Sequence, residues 1–193
     1  MKLGDGLCYT EGRSCERCGK GKDVEIVKTY IQRIASRRFI GKRYTNGERS
    51  ADGMFGAKWD EWHVNGWFAL LKEGTDPGFF GADQENGAAI GLMREENGDF
   101  DRFEYWIGLF FPEGTAVPKG FDCVDFPASE YGVCWVFGKE NEIFGHEALC
   151  LEHLEQAGFE SITDWCFERY VPARFENPDE KGNVIIDIGF FVR

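Results

Sequence analysis

The segment WCFERYVP, residues 165–172, places one carboxylate among aromatic and sulfur-containing side chains in a stretch with the composition of a β-strand. Because side chains on a strand alternate between faces, Glu168 shares one face with Cys166 and Tyr170, and Arg169 points the opposite way. In such surroundings the charged form of a carboxylate needs a cation or several hydrogen-bond donors. An organic cation at about 4 Å would attract it by roughly 4 kcal/mol at an effective dielectric of about 20, before desolvation is counted. The residues leave two interpretations of Glu168 open: it is the charge partner of a bound cation, or it is a structural carboxylate satisfied by Tyr170, a backbone amide or a nearby arginine.

A second carboxylate lies in the apolar segment FEYWIGLF, residues 103–110. Strand alternation puts Glu104 on the same face as Trp106 and Phe110. If that face lines a ligand groove, the two rings are candidate walls and Glu104 lies near the mouth of the groove. The alternative is that Glu104 is a solvated strand end.

Aromatic residues also recur at helical spacing in AKWDEWHVNGWFALLKEG, residues 57–74. This period predicts a helix that ends at Gly74. Trp59 and Trp62 lie three residues apart on it, so they form a stripe that either packs on a sheet or roofs a cavity. Because aromatic faces attract cations by about 0.5 to 2 kcal/mol each, both rings are candidate contacts for a cationic ligand.

Cysteines near the N-terminus raise the question of a metal site. The segment SCERCGKG has the Cys-x-x-Cys-Gly turn of a zinc knuckle at Cys15 and Cys18, and Cys8 could supply a third thiolate. No second Cys-x-x-Cys pair follows to close a four-ligand site, so a reduced and flexible tail is the competing interpretation.

A second metal-like pattern lies on the other predicted helix. His146, Cys150 and His153 follow an i, i+4, i+7 spacing that is compatible with shared ligation. We favour the alternative that they lie on a solvated or partly buried helix face. The question of a bound metal is left open, and no cofactor is predicted. No nucleophile motif, phosphate loop or Ser-His-Asp arrangement has a defensible spacing, so no catalytic residue is predicted.

The bulk composition restricts the class of partner. With 34 acidic against 22 basic residues the formal net charge is −12, so nucleic acid would be repelled unless a basic patch were segregated. The basic segment RIASRRFIGKR is interpreted as a solvated hairpin tip, and no direct nucleic-acid binding is predicted. No apolar run reaches the roughly 18 to 20 residues of a membrane span, and the N-terminus lacks a signal-peptide core. With seven cysteines, an odd number, the sequence favours reduced thiols in the cytoplasm and no membrane partner.

The order of the predicted elements indicates an internal duplication. Residues 1–22 are interpreted as a Cys- and Gly-rich N-terminal extension, and the domain is predicted to span residues 23–193. Hairpins are predicted across Ala35-Ser36, across residues 127–129 and at Asn97-Gly98. Each half then reads β-β-α-β-β, which predicts an α+β fold with an antiparallel sheet, two helices and a pseudo-twofold axis. The junction between the halves is the expected ligand groove.

A family resemblance rests on five segments: IASRRFIGKRY, the helix Trp59 followed seven residues later by Gly66, FEYWIGLF, FPASEYGVCWVFG and FERYVP. In this order and spacing the chain resembles, over about residues 24–192, the GyrI-like family, also described as the effector-binding domain of AraC-type and MerR-type multidrug regulators. The resemblance implies a duplicated SH2-like fold whose groove binds lipophilic, often cationic, small molecules. Because no helix-turn-helix fits before Asp23, the chain resembles the free-standing members.

Two positions carry over from the family pattern. The family's acidic residue in a Glu-x-Tyr-x-Pro motif falls on Glu168, with Tyr170 and Pro172 completing the match, and its helix tryptophan falls on Trp59. Many relatives have a second acid where this chain has Phe110, so the groove is expected to be more apolar here.

The expected function is the binding of a lipophilic or cationic aromatic small molecule. The candidate ligand-binding residues are Glu168, Tyr170, Trp59, Trp62, Trp106 and Phe110. Two alternatives stay open: hydrolysis of electrophilic xenobiotics by a Glu/Tyr pair, as in one subfamily, and gyrase inhibition by an acidic surface. The sequence leaves the oligomeric state open.

Overall fold

The computed structural model describes residues 24–73, 75–81, 85–96 and 102–193, which form eight β-strands and five α-helices. The strands are β1 (Glu25–Ile34), β2 (Arg37–Thr45), β3 (Ala89–Glu95), β4 (Phe103–Pro112), β5 (Asp122–Phe126), β6 (Ser129–Lys139), β7 (Ser161–Tyr170) and β8 (Asn183–Val192). The helices are α1 (Gly56–Val64), α2 (Trp67–Lys72), α3 (Pro77–Gly81), α4 (Glu147–Gln156) and α5 (Pro172–Phe175).

All eight strands belong to one antiparallel sheet with the order β1-β6-β8-β7-β3-β4-β2-β5. The predicted α+β fold with an antiparallel sheet is confirmed. The strand order is unchanged when β1 to β4 are exchanged for β5 to β8 and the sheet is read from its other edge. A duplication of β-β-α-β-β units would have this property; the duplication itself stays a prediction.

Two of the predicted hairpins are wrong. β1 pairs with β6 and β2 pairs with β5, and the register continues from one pair to the next, with Ile34 facing Ser129 and Arg37 facing Phe126. The four strands therefore form one continuous ribbon that links the two edges of the sheet, so the basic segment is not a hairpin tip. The links Ala35-Ser36 and Pro127-Ala128 lack the glycine or asparagine that a two-residue hairpin turn requires.

The two strands of the third predicted hairpin pair with each other, whereas its turn at Asn97-Gly98 lies outside the described residues. β3 and β4 are antiparallel neighbours, with Met93 facing Tyr105 and Glu95 facing Phe103. The other face of the β3 ladder belongs to β7, so β3 and β7 form the junction of the two halves of the sheet.

The predicted helices differ in where they end. The first is broken at Gly66, whose φ of 64° lies in the left-handed region, so α1 and α2 replace one long helix. The second, α4, is followed by Gly158, whose φ of 93° lies in the left-handed region. There the amides of Gly158 and Phe159 donate to the carbonyls of Glu155 and Leu154, the two bonds of a Schellman motif. The two short helices α3 and α5 are too brief to give a periodic signal.

The sheet is covered on both faces. On one face, α1 and α2 cover β2, β3 and β4 around Trp62 and Ile107, and α4 covers β6, β7 and β8 around Leu154. The opposite face buries an aromatic core to which every strand contributes: Ile34, Phe39, Ile90, Leu92, Trp106, Phe110, Phe126, Tyr131, Val133, Phe167 and Phe191. Most of the aromatic side chains of the sequence pack in these layers on the two faces of the sheet.

Two further predictions concern residues that the structure does not describe. The N-terminal extension, with Cys8, Cys15 and Cys18, and the helix stop at Gly74 lie outside the described residues. None of the helices that the described residues form is long and apolar enough to cross a membrane.

Candidate functional site

A cavity of about 1260 Å³ lies where the two halves of the sheet meet. Its lining comes from α1 with the loop before it, from α4, and from the helix-covered faces of β3, β4, β7 and β8. The cavity therefore occupies the junction at which the sequence predicts a ligand groove.

Glu168 of β7 lines this cavity and is only 5% exposed. Its Oε2 atom accepts a hydrogen bond of 2.8 Å from the Tyr170 hydroxyl and one of 3.4 Å from the Tyr105 hydroxyl. The Tyr105 hydroxyl accepts in turn from Nε1 of Trp59 at 2.9 Å. Three aromatic side chains thus orient one carboxylate.

A glycine makes room for this arrangement. Gly91 of β3 lies directly opposite Glu168 in the β3/β7 ladder. A Cβ atom at Gly91 would lie 2.5 Å from the Tyr105 hydroxyl and 3.1 Å from Oε2 of Glu168. A glycine inside a strand often marks such a close approach. The glycine at position 91, within an otherwise apolar strand, was therefore a signal of this site in the sequence, although it was not among the predicted residues.

The charge of Glu168 has no basic partner within the described parts of the chain. The adjacent Arg169 points to the opposite face of the sheet, where its Nε donates to Asp187 at 2.9 Å. Strand alternation therefore separates the two neighbours, and the arginine leaves the cavity carboxylate unpaired.

Arg169 belongs to a buried ion network. Asp187, fully buried, also accepts from Nε of Arg174 at 2.8 Å. Arg169 further contacts Glu85 at 3.1 Å and donates to the Tyr30 hydroxyl at 2.8 Å. The network joins β1, β7, β8, α5 and the segment before β3 behind the cavity.

Burial and neighbouring charges set the protonation states of Glu168 and of the two tyrosines that contact it. Burial, and then the negative charge of Glu147, raise the pKa of Glu168 to about 8, although the hydrogen bonds from Tyr170 and Tyr105 work in the opposite direction. Burial and the charge of Glu168 hold the pKa of both tyrosines well above the usual value. At neutral pH most molecules therefore have a protonated Glu168, and both hydroxyls remain available as donors.

Aromatic rings form the walls around this carboxylate. The ring centroid of Tyr170 lies 4.6 Å from that of Trp59 and 4.8 Å from that of Phe175. Phe55 stacks on Tyr105 with centroids 4.3 Å apart. Phe144, at the approach to α4, lines the cavity as well. A flat or multi-ring ligand would meet apolar faces on several sides.

The structure brings three of the six predicted site residues together: Trp59, Glu168 and Tyr170. Trp62 is fully buried beneath α1 and donates to the Tyr44 hydroxyl at 2.9 Å. Trp106 and Phe110 lie in the aromatic core on the opposite face of the sheet.

Strand register explains the position of Trp106 and Phe110. Glu168 pairs with Gly91, and Gly91 pairs with Ile107, so the cavity face takes even positions from β7 and odd positions from β4. Tyr105 is therefore the β4 side chain that reaches the carboxylate. Register of this kind depends on the pairing of distant strands, which the sequence does not reveal.

The rival carboxylate Glu104 is paired. It contacts Arg94 at 3.1 Å and Arg43 at 3.2 Å and accepts from Nε1 of Trp106 at 3.1 Å. Partial burial works to raise its pKa, but the bonds from Trp106, Arg94 and Arg43 outweigh burial and hold the pKa below its ordinary value. Glu104 is thus already neutralised.

No group of three or more potential metal ligands occurs among the described residues. A ring nitrogen of His146 is hydrogen-bonded to the Glu142 carbonyl at 2.9 Å, and Cys150 is fully buried, so His146, Cys150 and His153 do not form a ligand group.

No protein-family model and no curated protein matches this sequence. Solved structures do. SAV2435 bound to tetraphenylphosphonium is 19% identical with a TM-score of 0.57, and the match covers 86% of this chain and 94% of that one. The EcmrR C-terminal domain is 12% identical with a TM-score of 0.55 over 86% of this chain and 97% of that one.

The chain shares the fold of these proteins. The resemblance to GyrI-like effector-binding domains is thereby confirmed at the level of the fold. A hydrolase encoded by lin2189 from Listeria innocua has the same fold, with 11% identity and a TM-score of 0.50 over 86% of this chain and 92% of that one. One fold therefore hosts more than one function, and the site must decide.

Proposed function

We propose that this GyrI-like protein binds lipophilic, cationic aromatic small molecules in the cavity between its halves, with Glu168 as the charge partner. One observation carries the proposal: a carboxylate that is 95% buried, bonded by two tyrosines and without a basic partner in the described chain, lines an aromatic cavity.

The energetics favour a cation. Glu168 is kept from ionising mainly by the loss of water, so a cation placed beside it supplies the compensation that the protein lacks. The rings of Trp59 and Tyr170 add cation–π attraction of about 0.5 to 2 kcal/mol each. The cavity volume of about 1260 Å³ exceeds the roughly 300 to 1,000 Å³ of ordinary ligand pockets, so multi-ring compounds fit.

The structural neighbours support the same class of ligand. Tetraphenylphosphonium, the molecule bound to SAV2435, combines one positive charge with four phenyl rings. Those two properties match an acid surrounded by aromatic walls. The likeness itself concerns the fold, so the ligand class rests on the cavity of this chain.

Hydrolysis is a second candidate because a carboxylate with a pKa of about 8 suits a general base and a neighbouring tyrosine can donate a proton. Incubation of the protein with an aryl cyclopropyl ketone, followed by mass spectrometry, separates the two functions. Time-dependent product that disappears in Glu168→Gln would favour hydrolysis; an unchanged substrate would favour binding.

The proposed function predicts that cation binding tightens as the pH rises. Only ionised Glu168 attracts a cation, and its ionised fraction grows about tenfold from pH 7 to pH 9 when the pKa is about 8. The dissociation constant of tetraphenylphosphonium, followed by calorimetry, should fall by about the same factor. Uptake should also release a proton, because the bound cation favours the charged carboxylate.

The control is triphenylphosphine oxide, which keeps three phenyl rings on phosphorus but is uncharged. Its dissociation constant should not vary over this pH range. Equal affinity for the two compounds at every pH, or parallel pH profiles, would remove Glu168 as the charge partner.

A further inference from the structure

We propose that the cavity selects dications over monocations with the same aromatic core, and that Glu147 is the partner of the second charge. The inference rests on the proposed function and adds a specificity-determining residue to it.

Glu147 and Glu168 line the same cavity from different elements. Glu147 begins α4, whereas Glu168 lies on β7 beneath it. Glu147 is half-buried, and no lysine, arginine or histidine of the described residues forms an ion pair with it. The cavity therefore has a second carboxylate without a basic partner.

The two carboxylates act on each other. The charge of Glu147 contributes, after burial, to the raised pKa of Glu168, and both charges contribute to the raised pKa of the Cys166 thiol, which lies on the same cavity face of β7. A monocation beside Glu168 leaves Glu147 unneutralised. A ligand with a second positive centre relieves the repulsion between the two acids.

The basic residues that line the cavity are already engaged. Arg94 pairs with Glu104 at 3.1 Å. Arg49 donates to the Gly53 carbonyl at 2.7 Å and to the Asn46 side chain at 2.9 Å. Against these two arginines the cavity lining has five acids, Asp52, Glu95, Glu147, Asp164 and Glu168. Even with Glu168 protonated, the lining has four other acids against two arginines, so its charge balance favours a positively charged ligand.

The position of Glu147 favours its negative charge. It lies in the first turn of α4, a helix of 10 residues, where the helix dipole stabilises an anion. Among the acids of the lining, Glu147 is the one whose negative charge acts on Glu168, and the helix dipole stabilises that charge. Glu168 becomes charged when a cation arrives.

The test compares ethidium with propidium at pH 8 and about 0.15 M salt, where distant surface charges are screened. The two dyes share one phenanthridinium chromophore, and propidium has an added quaternary ammonium. Wild-type protein is expected to bind propidium about tenfold more tightly than ethidium by fluorescence titration. Glu147→Gln should bring the ratio close to one and leave the ethidium dissociation constant within about twofold.

Glu155→Gln is the matched control. It removes one negative charge from an exposed position of the same helix outside the cavity lining, so it should preserve the preference for propidium. Equal affinity of the wild type for the two dyes, or an equal loss of preference in Glu147→Gln and Glu155→Gln, would overturn the assignment of Glu147. Either result leaves the proposed function standing as long as ethidium binds and Glu168→Gln weakens its binding. The proposed function itself fails if ethidium does not bind, or if Glu168→Gln binds ethidium as tightly as the wild type does.

Discussion

Glu168→Gln should weaken the binding of tetraphenylphosphonium at pH 9 by about 30-fold or more, because truncating one member of a buried charge pair costs 2 kcal/mol or more. Triphenylphosphine oxide should bind the variant as it binds the wild type. Glutamine preserves the shape of the side chain, and its carbonyl oxygen can still accept from Tyr170 and Tyr105. The substitution therefore removes the charge while the hydrogen bonds persist, and calorimetry on both compounds measures the difference.

Glu155→Gln is the control for this experiment. It removes a carboxylate from an exposed position of α4 that lies outside the cavity lining. Affinity for tetraphenylphosphonium should stay within about twofold of the wild type, since no residue that lines the cavity is changed. Equal losses in both variants, or equal losses for both compounds in Glu168→Gln, would show that the carboxylate does not act through its charge.

The thermal stability of Glu168→Gln shows whether weaker binding comes from the lost charge or from a disturbed fold. The folded-state pKa of Glu168 is about 8 against an ordinary 4.5, so the folded protein binds more protons than the unfolded chain between these values. This carboxylate therefore supports folding below pH 4.5, and its contribution is lost as the pH rises to 8. At pH 9 Glu168→Gln should be at least as stable as the wild type in thermal unfolding. A variant that binds no cation and also melts earlier would be misfolded.

Asp187→Ala should lower the free energy of unfolding by about 3 to 5 kcal/mol, the usual cost of breaking a buried ion pair by removing one partner. Asp187 is fully buried and accepts from Arg169 and Arg174. Its loss leaves Arg169, which is 4% exposed, with Glu85 as its one carboxylate partner among the described residues. Urea denaturation at pH 7 measures the change, provided that the slope of the transition is preserved.

Glu160→Ala provides the comparison. Glu160 pairs with Arg193 at 2.8 Å, nearly the same distance, but both side chains are about 70% exposed. A surface pair of this kind contributes about 0 to 1 kcal/mol. Similar effects of the two substitutions would mean that the buried network does not hold β1, β7, β8 and α5 together.

Local patterns in the sequence predict the kinds of element well and their pairing less well. Strand alternation locates most strands, and helical spacing locates the two main helices, because these signals depend on neighbouring residues. The break of the first helix at Gly66 was not predicted. The short links at Ala35-Ser36 and Pro127-Ala128 look like hairpin turns, but the strands they join find partners in the other half of the chain. Pairing over such distances is decided by the packing of the whole sheet.

In the candidate site, too, some residues can be predicted from the local sequence, and the positions of others depend on how distant strands pair. Glu168, Tyr170 and Trp59 are identified by local pattern and resemblance, and the structure places all three at one cavity. Trp106 and Phe110 have suitable chemistry, but the ladder register directs them to the opposite face. Tyr105 and Glu147 were missed because their distance from Glu168 follows from the tertiary arrangement of β4 and α4.

The continuous ribbon of β1-β2 against β6-β5 has a further consequence. Each half of the chain supplies an outer strand to the other half, so neither half has a complete sheet by itself. A truncation, an insertion or an exchange confined to one half would leave unpaired backbone in both. The cavity between the halves therefore depends on both of them, and a change confined to one half is expected to disturb its whole lining.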